Sequence, residues 1–265
     1  MIGFLIFTGY ALFLSFLNDE GAKSFALQTQ MALAREIHRT LVPPLDRRGA
    51  AVEVSGRSTP SGAMGGDLFD FYEDGGRTWL YVADVAGHGI QAGVVMGMIR
   101  AAARSQIRTA SSPEQVVAGL NRLVLELGRP ELFVTMACLV FDGKTTARCV
   151  VAGHPPILLY RGTTQALESL RSSHLPLGIA PAASYDFREI GCTSGDMFAL
   201  FTDGLTEVSD RDGREFGNGG VETLIAENAG RGDRDLAGIR EIILARAGGF
   251  GEQFDDQTLV LARVL

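Results

Sequence analysis

The sequence predicts an α+β fold, and three observations lead there. Apolar runs rich in branched and aromatic residues recur at hairpin spacing, as Trp79-Leu80-Tyr81-Val82-Ala83 does after the turn signal Asp74-Gly75-Gly76. Helical stretches fall in groups between those runs rather than alternating with them one by one, the pattern of antiparallel sheets with helices set apart. With 265 residues, 46% hydrophobic and 21% charged, the chain can bury a sizeable core as one domain with an appendage.

The appendage comes first. Met1 to Leu17 is nearly continuous hydrophobic sequence, broken only by Gly3, Thr8, Gly9 and Ser15. As a helix it would reach roughly 25 Å, at the short limit for crossing a bilayer. It has no basic n-region and no small-residue cleavage site, which argues against a removable signal peptide. Two readings stay open for residues 1–17: a membrane anchor, or a helix packed on a partner or on the domain. Under the first, Lys23, Arg35 and Arg39 on its C-terminal side place the following domain in the cytoplasm, anchored to the inner face of the cell membrane. Residues 18–44 then form a linker. Ala22 to Leu41 has a helical pattern with Phe25, Met31, Leu33, Ile37 and Leu41 as apolar positions, and Pro43-Pro44 ends it. His38, a lone histidine on that helix, reads as a surface residue.

Residues 45–265 form the domain. Strands are expected over Ala51 to Arg57, Leu68 to Tyr72 and Thr78 to Ala83. A helix from Gly89 to Ile107 follows, then a second one after Ser112-Pro113-Glu114, where serine caps and proline opens the first turn. Phe133 to Phe141, Ala147 to Ala152 and Ile157 to Tyr160 are the next strands, turned at Asp142-Gly143. Tyr185 to Ile190 and Met197 to Thr202 add two more. Helices around Val221 to Ala229 and Asp235 to Ala247, joined by a short loop, lead to a last strand at Leu259-Val260-Leu261-Ala262.

Charge and cysteine content narrow the function. A formal net charge of -7 argues against a nucleic-acid partner, because phosphate backbones need clustered Lys and Arg. Cys138, Cys149 and Cys192 lie in apolar, strand-like contexts and read as buried thiols of a reducing compartment. None has an arginine at the spacing of a cysteine-phosphatase loop.

The acidic residues carry the chemistry. Asp67 follows Gly65-Gly66, Asp84 ends the apolar run at Ala83, Asp203 follows Met197 to Thr202, and Asp255-Asp256 precede the last strand. Carboxylates at the ends of rigid strands, flanked by glycines that admit close approach, are how a chain holds a hard cation such as Mg²⁺ or Mn²⁺. If the four meet without a cation, each pair about 5 Å apart repels by roughly 3 kcal/mol at an effective dielectric near 20. Asp74, Asp142 and Asp212 precede glycines and read as plain turns.

These motifs occur in a familiar order. Gly65-Gly66-Asp67 with Asp70, Asp84 through Gly89, Ala152-Gly153-His154-Pro155-Pro156, Leu175-Pro176-Leu177-Gly178, Ser194-Gly195-Asp196, Thr202-Asp203-Gly204 with Glu207, and Asp255-Asp256-Gln257-Thr258 resemble the SpoIIE-like (RsbU-like) branch of PPM phosphatases, bacterial relatives of protein phosphatase 2C. The resemblance covers roughly residues 34 to 265. It implies two packed antiparallel sheets with helices on both outer faces, an α-β-β-α sandwich preceded by an N-terminal helix. It implies a protein serine/threonine phosphatase using two divalent cations, Mn²⁺ or Mg²⁺, to activate a bridging water for in-line attack on phosphorus. By resemblance Asp67, Asp84, Asp203, Asp255 and the Val85 carbonyl are the metal ligands, with Asp84 bridging both ions and Asp84 and Asp203 central to catalysis. Asp70 is either a ligand or a loop support, Asp256 supports Asp255, and His88 is either a general acid or a locally bonded helix-start residue. His154 would be structural. The implied substrate is a phosphoserine or phosphothreonine on a small regulatory protein, foremost a STAS-type anti-sigma-factor antagonist. The linker helix would join the domain to a sensor or, as a homodimer, to a second copy. A non-catalytic domain of this fold and a small-molecule phosphatase are the alternatives.

Overall fold

Pro43 and Pro44 stop the first helix at the predicted place, since neither residue can continue a helical hydrogen-bond ladder. The computed structural model describes residues 1–87, 89–110, 112–129, 131–171, 174–230 and 235–265, and for residues 2–6, 8 and 10–22 the backbone alone. The chain runs α1 (Ile2–Leu41), β1 (Leu45–Arg48), β2 (Val52–Thr59), β3 (Asp67–Asp74), β4 (Arg77–Val85), α2 (Gly89–Ile107), α3 (Pro113–Glu126), β5 (Val134–Asp142), β6 (Thr146–Ala152), β7 (Ile157–Tyr160), β8 (Leu167–Leu170), β9 (Arg188–Gly191), β10 (Met197–Phe201), α4 (Asp203–Thr206), α5 (Gly217–Ala229), α6 (Leu236–Gly248) and β11 (Gln257–Val264).

Two antiparallel sheets result, one ordered β1-β2-β11-β10-β7-β8 and the other β3-β4-β5-β6-β9. Helices α2 and α3 cover the five-stranded sheet, and α5 and α6 cover the six-stranded one. Strand periodicity explains why the central runs are apolar without a break: both faces are buried. On β10, Phe198 and Leu200 face the other sheet, where the Phe198 ring meets Phe141 edge-on at 5.5 Å. The alternate residues Met197, Ala199 and Phe201 pack with Ile225, Ile239 and Ile243 of the covering helices. The Gly75-Gly76 turn has φ of 57° and 80°, the doubly positive pair that a two-residue hairpin between right-twisted strands requires. Ser112 caps α3 by accepting from the Gln115 N–H.

The first helix is continuous from Ile2 to Leu41. Most side chains of residues 1–17, for which a membrane anchor and a packed helix are the two readings, lie outside the described residues. Among the described residues no helix is long and apolar enough to cross a membrane. His38 is not a surface residue but 4% exposed, because it lies one turn after buried Ala34 on the side of α1 that meets the domain. The strand expected from Tyr185 begins only at Arg188, since Tyr185 turns inward to donate its hydroxyl to Asn121 at 3.2 Å. Strands β1 and β8 were not anticipated; both are four-residue edge strands, and β1 is dominated by charge.

Candidate active site

Hairpin β3–β4 sets the first pair of carboxylates. Its register makes Asp67 and Asp84 direct cross-strand partners at the open end of the five-stranded sheet. The second pair comes from the other sheet, where Phe201 at the end of β10 is registered with Leu259 near the start of β11. Asp203 follows β10 and opens α4, and Asp255 and Asp256 immediately precede β11. Both sheets thus deliver their acids to one end of the sandwich.

The sheets are tied there through Asp67. Its Oδ2 accepts the Thr258 hydroxyl at 2.6 Å and the Thr202 hydroxyl at 2.7 Å, and the Thr258 N–H donates to the Thr202 hydroxyl oxygen at 3.0 Å. All three side chains are buried. Close backbone approach completes the junction. A Cβ on Gly66 would lie 2.8 Å from the Val85 carbonyl oxygen, and one on Gly204 would lie 2.2 Å from the Asp256 carbonyl oxygen. Only glycine admits these contacts.

Electrostatics record the crowding. Burial, and then the charges of Asp203, Asp255, Asp256 and Glu207, push the Asp84 carboxyl from 3.8 up to about 7. Burial, then Asp84 and Asp256, hold Asp67 well above the usual carboxylate range. Asp203 is raised by burial and by Asp255, and Glu207 by burial and then Asp203, Glu215 and Asp255. Glu207 therefore belongs to the same electrostatic neighbourhood, which its place in the Thr202-Asp203-Gly204 motif signalled without giving it a role. Among the described residues no three His, Cys, Asp or Glu side chains are already closed around one point.

The neighbouring aspartates divide their duties. Asp256 is buried, and its Oδ1 accepts the Ser61 N–H at 2.7 Å and the Ser61 hydroxyl at 3.1 Å, while Oδ2 accepts the Gly66 N–H at 2.7 Å. It pins the loop before β3. Asp255 is exposed, and its Oδ1 accepts the Asp256 N–H at 2.7 Å. Asp70 is not brought to the cluster. Three residues along β3 from Asp67, it falls on the opposite face of the strand, where its carboxylate takes Arg104 Nε at 2.6 Å, Arg104 Nη2 at 2.7 Å and Arg100 Nη2 at 3.3 Å. Arg100 also donates to the Thr40 and Leu41 carbonyls, so Asp70 anchors α2 and, through it, the end of α1. His88 lies outside the described residues. His154 is buried against the Thr135 hydroxyl at 2.7 Å, and burial lowers its imidazole to about 3, which keeps it neutral.

A profile of the family Stage II sporulation protein E (SpoIIE) matches residues 74–265. The chain belongs to the SpoIIE family. Among curated relatives, phosphoserine phosphatase RsbU of Bacillus subtilis (strain 168) is 30% identical over 190 residues, covering 71% of this chain and 56% of RsbU. The chain spans about half the length of the curated relatives it matches, 56% and 47% for two of them. The SiaA-PP2C domain of Pseudomonas aeruginosa superposes with a TM-score of 0.78 at 18% identity, covering 91% of this chain and 98% of that one. RsbX, solved in complex with magnesium, has a TM-score of 0.64 at 15% identity, covering 84% and 100%. Both structures share the fold of this SpoIIE-family chain.

Proposed function

We propose that this SpoIIE-family chain is a metal-dependent protein phosphatase that hydrolyses phosphoserine or phosphothreonine on a regulatory protein. The observation that carries the reading is the meeting of Asp67, Asp84, Asp203 and Asp255, from four separated segments, at one end of the two sheets. An all-oxygen set in which burial and neighbouring carboxylates raise the proton affinity of Asp67, Asp84 and Asp203 suits hard divalent cations, since a cation relieves both. Asp67, Asp84, Asp203, Asp255 and the Val85 carbonyl would hold two of them, Mn²⁺ or Mg²⁺. Such ions, when bound, make water nucleophilic near neutral pH and offset the charge on phosphoryl oxygens.

The chain's own groups do the positioning. Thr202 and Thr258 commit Oδ2 of Asp67 and fix the plane of its carboxyl group. Asp256 holds the loop before β3 against the Asp255 turn through Ser61 and Gly66, so the two ligand-bearing segments are hydrogen-bonded to each other. The fully buried cysteine Cys138, whose thiol burial raises out of the range of a nucleophile, takes no part. A phosphorylated STAS-type antagonist is the substrate we favour, supported by the resemblance to the RsbU-like branch and by the phosphoserine phosphatase among its relatives.

The test is direct. The purified chain should hydrolyse p-nitrophenyl phosphate only with added Mn²⁺ or Mg²⁺, and Asp84→Asn should abolish this. A phosphorylated STAS protein should be turned over with higher kcat/KM than the small ester. Turnover in the presence of a chelator, or an unimpaired Asp84→Asn chain, overturns the reading.

A further inference from the structure

One cavity of about 650 Å³ lies between α1 and the loops that carry the carboxylates. Asp255, Gly87 and Gly89 are among its lining residues, the two glycines lying shortly after Asp84 in the chain. Its walls are Leu27 and Met31 of α1, Met64, Ile90 at the start of α2, and Phe254. Four of these apolar side chains are unusually open to solvent: Leu27 is 58% exposed, Met31 38%, Ile90 59% and Phe254 71%. Exposed leucine, isoleucine and phenylalanine converging from three separate segments onto one concavity mark a place where apolar surface is to be covered.

We infer that this cavity seats an apolar residue flanking the phosphorylated side chain of the substrate protein, and so selects substrates by what lies next to the phosphate. The inference rests on the phosphatase reading of the site and deepens it. The occupant follows from continuity: a phosphoester delivered to Asp84 and Asp255 brings its neighbouring residues against Phe254, Ile90 and Met31, because these line the space that Asp255 lines. Charge decides the chemistry of the neighbour. Among the described residues lining the cavity Asp255 alone is charged. No arginine or lysine awaits an acidic flank, and apolar walls strip water from its carboxylate without offering it a partner. The remaining polar groups are neutral, as with Gln30 and Gln253. A volume of this size exceeds what a lone phosphoserine side chain fills, so a small ester leaves the apolar walls uncovered.

The test compares three phosphoserine peptides of equal length with Mn²⁺ and the full chain: one with leucine on both sides of the phosphoserine, one with glycine, one with aspartate. The leucine-flanked peptide should show at least tenfold higher kcat/KM than the glycine-flanked one, carried by KM, and the aspartate-flanked peptide the lowest. Met31→Gln and Phe254→Ser should each bring the leucine-to-glycine ratio down toward one. Equal treatment of all three peptides by a chain that hydrolyses p-nitrophenyl phosphate overturns this inference while leaving the phosphatase reading intact. Absence of all turnover overturns both. If the substitutions change the oligomeric state by light scattering but leave the peptide ratio unmoved, a second copy of the chain covers the cavity and the inference fails.

Discussion

Replacing Asp84 with asparagine should make the metal-free chain more stable while removing its activity. The carboxyl titrates near 3.8 when unfolded and is pushed up to about 7 in the folded chain, by burial first and then by Asp203, Asp255, Asp256 and Glu207. The sign follows from which state loses its proton first. As pH rises from 4 toward 7 the unfolded chain ionises while the folded one retains the proton, so the folded state loses relative stability across that window. The contribution is intact below 3.8 and gone above about 7. At about 1.4 kcal/mol per pH unit, the loss reaches up to about 4 kcal/mol. Asparagine keeps the shape and carries no charge, so the variant escapes it. The assay is urea unfolding in the presence of a chelator. Wild type and Asp84→Asn should unfold at similar urea concentrations near about pH 4, and the variant should be the more stable near about pH 8. Added Mn²⁺ should stabilise wild type at the higher pH and the variant far less. A variant that is no more stable than wild type at the higher pH, or a difference that does not depend on pH, refutes the reasoning.

Four further outcomes are expected. Thr258→Val removes one of the two hydroxyls on Asp67, and Mn²⁺ affinity measured by calorimetry should fall roughly tenfold, with Thr258→Ser close to wild type. Asp70→Ala leaves Arg100 and Arg104 without their buried partner and should lower unfolding free energy by about 3 kcal/mol while sparing Mn²⁺ affinity. Gly204→Ala places a Cβ 2.2 Å from the Asp256 carbonyl oxygen, and because the obstacle is backbone the Asp203 and Asp255 turns must separate; a stability loss of about 1–3 kcal/mol with loss of Mn²⁺ binding is expected. His38 is buried, neither ring nitrogen has a hydrogen-bond partner among the described residues, and burial lowers its imidazole below 6.5. As pH falls through 6.5 the unfolded chain takes up a proton that the folded chain refuses, so wild type should lose stability toward acid pH and His38→Leu should lose less.

The fold was legible wherever a strand is buried on both faces, because such strands announce themselves as unbroken apolar runs. Trp79 to Ala83 and Met197 to Phe201 are of this kind, and so was the Gly75-Gly76 turn, where positive φ leaves little choice of residue. Edge strands gave no such sign. Leu45-Asp46-Arg47-Arg48 bears the charges that keep a sheet edge from pairing with another chain, and those charges hide it from any reading based on hydrophobicity. On α1 the sign was misleading: apolar Phe25, Leu33 and Ile37 point to solvent while His38 is buried. A helix with apolar residues on several faces does not declare which face meets the domain.

At the site, each carboxylate could be found from its own short stretch, but its duty could not, because duty depends on donors far along the chain. Asp255 and Asp256 are chemically identical neighbours, yet Ser61 and Gly66, 195 and 190 residues away, saturate one and leave the other exposed. Asp67 and Asp70 part company for a reason the sequence does contain. A separation of three on a strand puts them on opposite faces, so once β3 is accepted as a strand through Asp70 the two cannot share an ion, and Arg100 and Arg104 become the partners to seek on the next helix. The same parity explains why the cluster is assembled from four segments rather than one: a strand offers only one residue at its end on a given face, so the chain must recruit Asp84 from the neighbouring strand and Asp203 and Asp255 from the opposing sheet. Gathering them that way obliges the two sheets to be held tightly at that end, which is what the buried hydroxyls of Thr202 and Thr258 do by reaching across to Asp67.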